Sequence, residues 1–276
     1  MKRSYLMVAG DKEKQLRKIP ELLCDVVMIN LEDGVSDKKT ALELIIKIYK
    51  ELDFNQNKKV LIRVNSLDDD GLEEIKRFNE LKPFAIRVAK IKKLQEIEQV
   101  LEVLGDGIEL HLSIETKEIF EKISELQKYP QVTTLYLGIL DLLESLGLPQ
   151  NLVRIDNPSI DYILSRFLIE SKIAKKNPVG FMYQEYQNLK MYEQWCEKLK
   201  NMGYVSAACL SPKQVDIANS VFGIELKEIE KAKYIKEIFE KNKSDGISGF
   251  SDEKYGFIDE PIYKDALLVL DSANIN

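Results

Sequence analysis

The sequence predicts an α/β protein, a (β/α)8 TIM barrel followed by a C-terminal helical extension. Eight short apolar runs rich in Val, Ile and Leu recur along the chain, and amphipathic charged stretches separate them. No Gly-x-Gly-x-x-Gly follows the first run. Near-continuous apolar runs of this length are strands buried on both faces, as parallel sheets require. Strand then helix, repeated eight times, is the pattern of a closed parallel barrel, and the open doubly wound alternative lacks its phosphate-binding glycines.

In chain order the strands are expected at 4–9, 25–31, 59–64, 84–89, 108–114, 134–139, 179–182 and 205–210. Helical periodicity fills 38–51, 70–81, 92–104, 117–128 and 188–201, with a further helix near 158–176 inside the longest gap, after strand six. Beyond strand eight, helical stretches at 227–241 and 261–271 flank a Gly/Ser-rich segment, 244–251, which reads as a flexible connector. The expected domains are a barrel over 1–223 and a helical extension over 224–276.

Bulk properties narrow the partners. The 276 residues are 45% hydrophobic and 31% charged with a formal net charge of −6, so no basic footprint points to nucleic acid. Anionic substrates must then be caught by local cations. The start has only a short apolar run after Lys2 and Arg3, unlike a signal peptide. No stretch approaches the roughly 20 apolar residues that span a bilayer. Cys24, Cys196 and Cys209 are widely scattered, which suits reduced thiols, and a cytoplasmic location is expected. The single histidine, His111, excludes a multi-histidine metal site, so any metal is bound by oxygen. His111 shares a strand face with Ser113 and Glu115, two layers below the rim, and reads as a core residue.

In such barrels the active site lies at the C-terminal ends of the strands. Strand two ends in Glu32-Asp33-Gly34, strand three in Arg63-Val64-Asn65, strand four in Lys90, strand five in Glu115-Thr116 and strand six in Gly138-Ile139-Leu140-Asp141. Glu115 and Asp141 end neighbouring strands, whose axes lie about 4.8 Å apart. Their oxygens can share one Mg²⁺, which keeps several waters and so leaves positions for a substrate. Arg63 faces that ion, and its planar fork matches a carboxylate. A salt bridge from Arg63 to Glu32 or Asp33 is the other reading of the same residue.

These strand ends resemble the citrate lyase beta-subunit family, allied to the malyl-CoA and citramalyl-CoA lyases and the 4-hydroxy-2-oxoheptanedioate aldolases. Arg3-Ser4-Tyr5-Leu6-Met7-Val8-Ala9-Gly10 resembles the family's opening, and Asn30-Leu31-Glu32-Asp33-Gly34-Val35 its acidic motif. Arg63-Val64-Asn65, Ile114-Glu115-Thr116, Leu137-Gly138 with Asp141, and Gly256-Phe257-Ile258-Asp259-Glu260-Pro261 follow in family order across nearly the whole chain.

The resemblance implies that Glu115 and Asp141 ligate Mg²⁺ and that Arg63 holds the carboxylate of an oxaloacetate- or glyoxylate-like fragment. Backbone amides near Gly138 would add hydrogen bonds to it, and Glu32 and Asp33 would order Arg63 and bound water. Asp259 corresponds to an acid that reaches a neighbouring subunit's site and exchanges a proton with the acetyl carbon. This implies a homo-oligomer, usually a trimer, with the extension in the subunit contacts. Asp259 before Pro261 also suits a helix N-cap. Around strand eight the family's Lys and His are replaced by Ala207 and Ser211, on the side where the nucleotide arm of CoA is expected. The expected function is a Mg²⁺-dependent carbon–carbon lyase acting on a 3-hydroxy-acid CoA thioester. The alternatives are a metal-dependent aldolase on free hydroxy-oxo acids and a non-catalytic ligand-binding barrel.

Overall fold

The structure, a computed structural model, describes residues 2–56 and 58–273. The chain divides into two compact units, Lys2–Phe222 and a second beginning at Gly223. The first contains eight strands: β1 Ser4–Ala9, β2 Val26–Asn30, β3 Lys59–Arg63, β4 Ala85–Val88, β5 Glu109–Ile114, β6 Val132–Leu137, β7 Asn177–Val179 and β8 Ala207–Cys209. They form one parallel sheet in the order β7-β6-β5-β4-β3-β2-β1-β8. The two outer strands are too short for a full ladder, and Gly180 joins them. Its amide donates to Ser206 at 3.0 Å, and its carbonyl accepts from Ala208 at 3.1 Å. A Cβ at Gly180 would meet the end of the Leu199 side chain at 2.6 Å and the Ser206 carbonyl at 3.1 Å, so glycine lets the two strands approach without repacking Leu199. The fold is a TIM barrel.

The helices are α1 Glu13–Leu16, α2 Lys38–Leu52, α3 Gly71–Asn79, α4 Leu94–Val103, α5 Lys117–Phe120, α6 Ile139–Ser145, α7 Pro158–Ile173, α8 Leu189–Met202 and α9 Pro212–Val221, then α10 Leu226–Ser244 and α11 Glu260–Ser272 in the second unit. The main core lies between sheet and helices, where outward strand residues such as Val27, Ile29, Ile62, Ile86 and Leu112 meet Ile45, Ile75, Phe78 and Ile97. A smaller cluster fills the barrel itself with Tyr5, Val26, Met28, Leu61, Ala85 and Tyr136. Both strand faces are therefore buried. Among the described residues no helix is long and apolar enough to cross a membrane, and all three cysteines are free and buried.

Two local expectations need correction. The helix expected over 117–128 is the short α5 followed by a 3-10 helix, Ile123–Lys128. Phe120, Ile123 and Leu126 are buried at intervals of three, which suits three residues per turn rather than 3.6. The connector expected at 244–251 runs partly into a hairpin of β9 Gly249–Asp252 and β10 Gly256–Asp259. Asp252 accepts from the amides of Lys254 and Tyr255, and Gly256 takes φ +75°, so the turn is built by side-chain capping and a left-handed glycine.

One polar cluster among the barrel's interior residues is hydrogen-bonded within itself. His111, wholly buried, contacts Glu109 through Nε2 at 3.2 Å and the Tyr136 hydroxyl through Nδ1 at 3.0 Å. A carboxylate only accepts, so Nε2 carries the proton and Tyr136 donates to Nδ1. Burial holds the His111 pKa below its usual value, consistent with this neutral ring. Burial pushes Glu109 up, but hydrogen bonds from His111 and Thr133, with Lys2 nearby, outweigh it and bring its carboxyl from 4.5 down to about 2. A depressed carboxyl stabilises the fold above its unfolded pKa, and that contribution is lost as pH falls through the folded value. Glu109→Gln is therefore expected to be less stable than wild type at pH 7. In chemical denaturation at stepped pH, the gap should narrow between pH 4.5 and about 2. A gap that stays constant over that range contradicts this role for Glu109.

Candidate active site

The C-terminal mouth of the barrel encloses a cavity of about 390 Å³. Asp33, Arg63, Glu115 and Asp141 line it together, with Gly138 beside them, Arg87 and Tyr136 in its wall, and Met182 and Gln184 opposite. The acids and the guanidinium named from strand ends thus converge on one space, where catalytic groups of this fold class sit.

Glu115 follows β5 and is 3% exposed. The backbone amide of Lys90 donates to its Oε1 at 2.8 Å. Lys90 is able to do this because it adopts φ +59°, a left-handed conformation that a lysine occupies only at a cost. On the other side Glu115 lies against Gly138, where a Cβ would fall 2.7 Å from Glu115 Cβ and 2.8 Å from Oε2. Burial raises the Glu115 pKa, and Asp141 raises it further, against the pull of Arg63 and Arg87. No side-chain cation forms an ion pair with it among the described residues.

Asp141 is not at a strand end. β6 stops at Leu137, Gly138 is the N-cap, and Asp141 lies exposed in the first turn of α6. An acid there is favoured by the helix's unpaired N–H groups. The Gly138 amide donates to the Ile114 carbonyl at 3.0 Å, so it is committed to the sheet and is not offered to a ligand. Gly138 gives the site room, not a donor.

Arg63 ends β3 and forms the expected salt bridge. Its Nη2 contacts Glu32 closely and Asp33 at 3.6 Å, while Lys90 Nζ reaches Glu32 at 2.8 Å and Asp33 at 3.4 Å. Burial would raise Glu32, but Arg63, Asp33 and Lys90 outweigh it and hold its carboxyl well below the usual range. Burial and then Glu32 push Asp33 the other way. Glu32, 2% exposed, is paired with Arg63 and Lys90, the place from which it was expected to order that guanidinium. The salt bridge does not consume Arg63, whose buried Nε has no hydrogen-bond partner among the described residues.

Other motif residues have structural duties. Asn65 donates to Glu74 through its backbone at 2.8 Å and its side chain at 2.5 Å, tying the end of β3 to α3. Thr116 caps α5 and donates to the Ile91 carbonyl. Ser211, where the resemblance led to a histidine, is the N-cap of α9 and accepts from Gln214, and Ala207 is fully buried in β8. Asp259 belongs to the second unit, where it accepts from the Ile262 amide at 3.2 Å as the N-cap of α11.

Arg87 is the residue sequence reasoning passed over. It is 6% exposed, and burial together with Arg63's like charge lowers its pKa to about 10. The signal was present: a lone arginine interrupts the apolar run Phe84-Ala85-Ile86-Arg87-Val88-Ala89.

The donor set fits a hard divalent cation. Of the three carboxylates that line the cavity, Glu115 and Asp141 lie next to Gly138 and Asp33 stands with Arg63 and Lys90, and among the described residues no cluster of three or more His, Cys, Asp or Glu gathers at one point. Such an ion would keep most of its coordination sphere for water and substrate.

A parallel barrel with two acids and a guanidinium at its C-terminal mouth defines the class. The chain belongs to the HpcH/HpaI aldolase/citrate lyase family, whose profile matches residues 3–212. It is 28% identical over 233 residues to a (3S)-malyl-CoA thioesterase of Cereibacter sphaeroides, covering 83% of this chain and 80% of that one. It is 24% identical over 293 residues to the mitochondrial citramalyl-CoA lyase of Homo sapiens, covering 96% and 83%. A citrate lyase from Burkholderia xenovorans superposes with a TM-score of 0.84 at 17% identity, over 99% and 92% of the two chains. CitE of Mycobacterium tuberculosis, solved with magnesium, acetoacetate and coenzyme A, gives 0.73 at 15% identity, over 99% and 98%.

Gly138→Ala is expected to destabilise the fold by about 1–3 kcal/mol through overpacking against Glu115. Urea denaturation measures this, and an unchanged midpoint contradicts the close approach.

Proposed function

We propose that this chain is a carbon–carbon lyase that cleaves or condenses a 3-hydroxyacyl thioester of the citryl-CoA or malyl-CoA type. One observation carries the reading: Glu115, Asp141 and Arg63 face a single cavity at the barrel mouth. Mg²⁺ held by Glu115 and Asp141 would supply a Lewis acid for the oxygen of the carbonyl that forms on cleavage. Arg63 takes the adjacent carboxylate, and Glu32 with Lys90 keeps its fork turned toward the cavity. On cleavage the hydroxyl loses its proton and the bond between C2 and C3 of the acyl group breaks. A 2-oxo acid leaves, and the acetyl thioester enolate takes a proton at carbon. Asp259 from a neighbouring copy is the proposed donor, an assignment that rests on the resemblance. The active species is then a homo-oligomer.

A second reading is an aldolase on free hydroxy-oxo acids, favoured by Ala207 and Ser211 standing where the family carries Lys and His. One assay separates the readings. With Mg²⁺ present, acetyl-CoA plus glyoxylate or oxaloacetate should condense, whereas turnover only of pyruvate plus an aldehyde supports the aldolase. Release of free thiol without an oxo acid points instead to thioester hydrolysis, the activity named for the Cereibacter relative. Glu115→Gln should lower turnover by on the order of 100-fold, and undiminished activity in that variant overturns the site.

Asp259→Asn is expected to abolish hydrogen exchange on acetyl-CoA, read by NMR in deuterated water, while Mg²⁺ binding persists. Unchanged exchange removes Asp259 from the reaction.

A further inference from the structure

Arg87 projects from β4 into the barrel, in register with Arg63 on β3 and His111 on β5. Its direct side-chain contacts are all with neutral groups, although the Arg63 guanidinium stands beside it on β3. Nε donates to the Ser113 hydroxyl at 3.0 Å, Nη1 lies 2.9 Å from the Met28 sulfur, and the guanidinium stacks 4.1 Å from the Tyr136 ring centre. Tyr136 donates its hydroxyl to His111, so the ring face is what it offers the cation. No carboxylate pairs with Arg87 among the described residues, although it is buried and lines the cavity.

A buried charge without a paired counter-ion is costly, so a ligand that brings an anionic group to it gains by relieving that cost. The nearest acids do not serve. Glu32 is committed to Arg63 and Lys90, and Glu115 is held by the Lys90 amide and, under the proposed function, by a cation. The two guanidiniums come from adjacent strands, whose axes lie about 4.8 Å apart. That spacing suits two carboxylates joined by a short carbon chain.

We propose that Arg87 forms an anion subsite in the cavity wall that receives a second carboxylate, and so selects 2-oxo and 2-hydroxy dicarboxylates over monocarboxylates. The assignment deepens the proposed function and rests on it for the first carboxylate, which lies at Arg63. Arg87 is a specificity-determining residue: it holds the far end of the substrate and takes no part in the proton transfers. The apolar-bodied neighbours Met28 and Tyr136 exclude water from that end, which strengthens a guanidinium–carboxylate contact.

Malate and lactate differ by the second carboxylate alone and serve as probes. Calorimetry on the full chain with saturating Mg²⁺ should show malate binding at least tenfold tighter than lactate. In Arg87→Met, malate should fall to the lactate level while lactate changes by less than twofold. Arg87→Lys, which keeps the charge but loses the fork, should retain part of the preference and guards against a folding defect in the methionine variant. Equal affinity for the two acids in wild type, or equal losses for both in Arg87→Met and Arg87→Lys, overturns the subsite. If wild type binds lactate in a Glu115-dependent way without preferring malate, only the subsite falls. If neither acid binds in the presence of Mg²⁺, the proposed function falls with it.

Discussion

The mouth of this barrel is organised around the buried ion pair of Arg63 and Glu32, with Lys90 as its third member. Removing one partner from a buried pair is costly because it leaves the other charge uncompensated, and here Lys90 remains to pair Glu32 if Arg63 is lost. Lys90 links that pair to the acid beyond it, because its side chain holds Glu32 while its amide holds Glu115. One left-handed residue therefore fixes the guanidinium and the buried carboxylate at once. Gly138 completes the arrangement from the far side, because only the absence of a Cβ there leaves space for the Glu115 side chain.

Much of this was legible in the sequence because parallel strands are buried on both faces. The apolar runs of β1 to β6 could be read directly, and the polar residues that ended them, Arg63 and Glu115 among them, had to meet at one rim. β7 and β8 are three residues each, so β7 was placed two residues late, β8 was read too long, and the joining role of Gly180 could not be seen. Asp141 was found for the right neighbourhood but the wrong element, since Gly138 turns the chain into α6 before the acid is reached. Gly138's steric role and Lys90's amide are matters of backbone approach and dihedral angle, which residue type does not reveal. Arg87 was visible as a charge inside an apolar run, yet the search at strand ends looked past it. The hairpin of β9 and β10 lay partly in a segment whose Gly and Ser content resembles a linker.

The barrel interior also shows how polarity is tolerated at depth. His111, Glu109, Thr133 and Tyr136 form a chain in which each donor meets an acceptor. Arg87 sits at the upper end of that chain and faces the cavity, where the internal pairing stops. The lower cluster is settled within the protein, whereas at the mouth, among the described residues, Arg63 Nε has no hydrogen-bond partner and Arg87 no paired carboxylate. Unspent polar capacity gathered at one cavity is what a site for a charged ligand requires.

In the function we propose, Glu115 and Asp141 hold one divalent cation facing Arg63. Binding of Mn²⁺, a spectroscopically visible substitute for Mg²⁺, tests it most directly by electron paramagnetic resonance. The account predicts one competitive site per chain, tightened when a 2-oxo acid is added, because ligand and ion bound to each other must strengthen one another's binding. Mn²⁺ that remains free at millimolar protein, or that binds without any response to the acid, contradicts it.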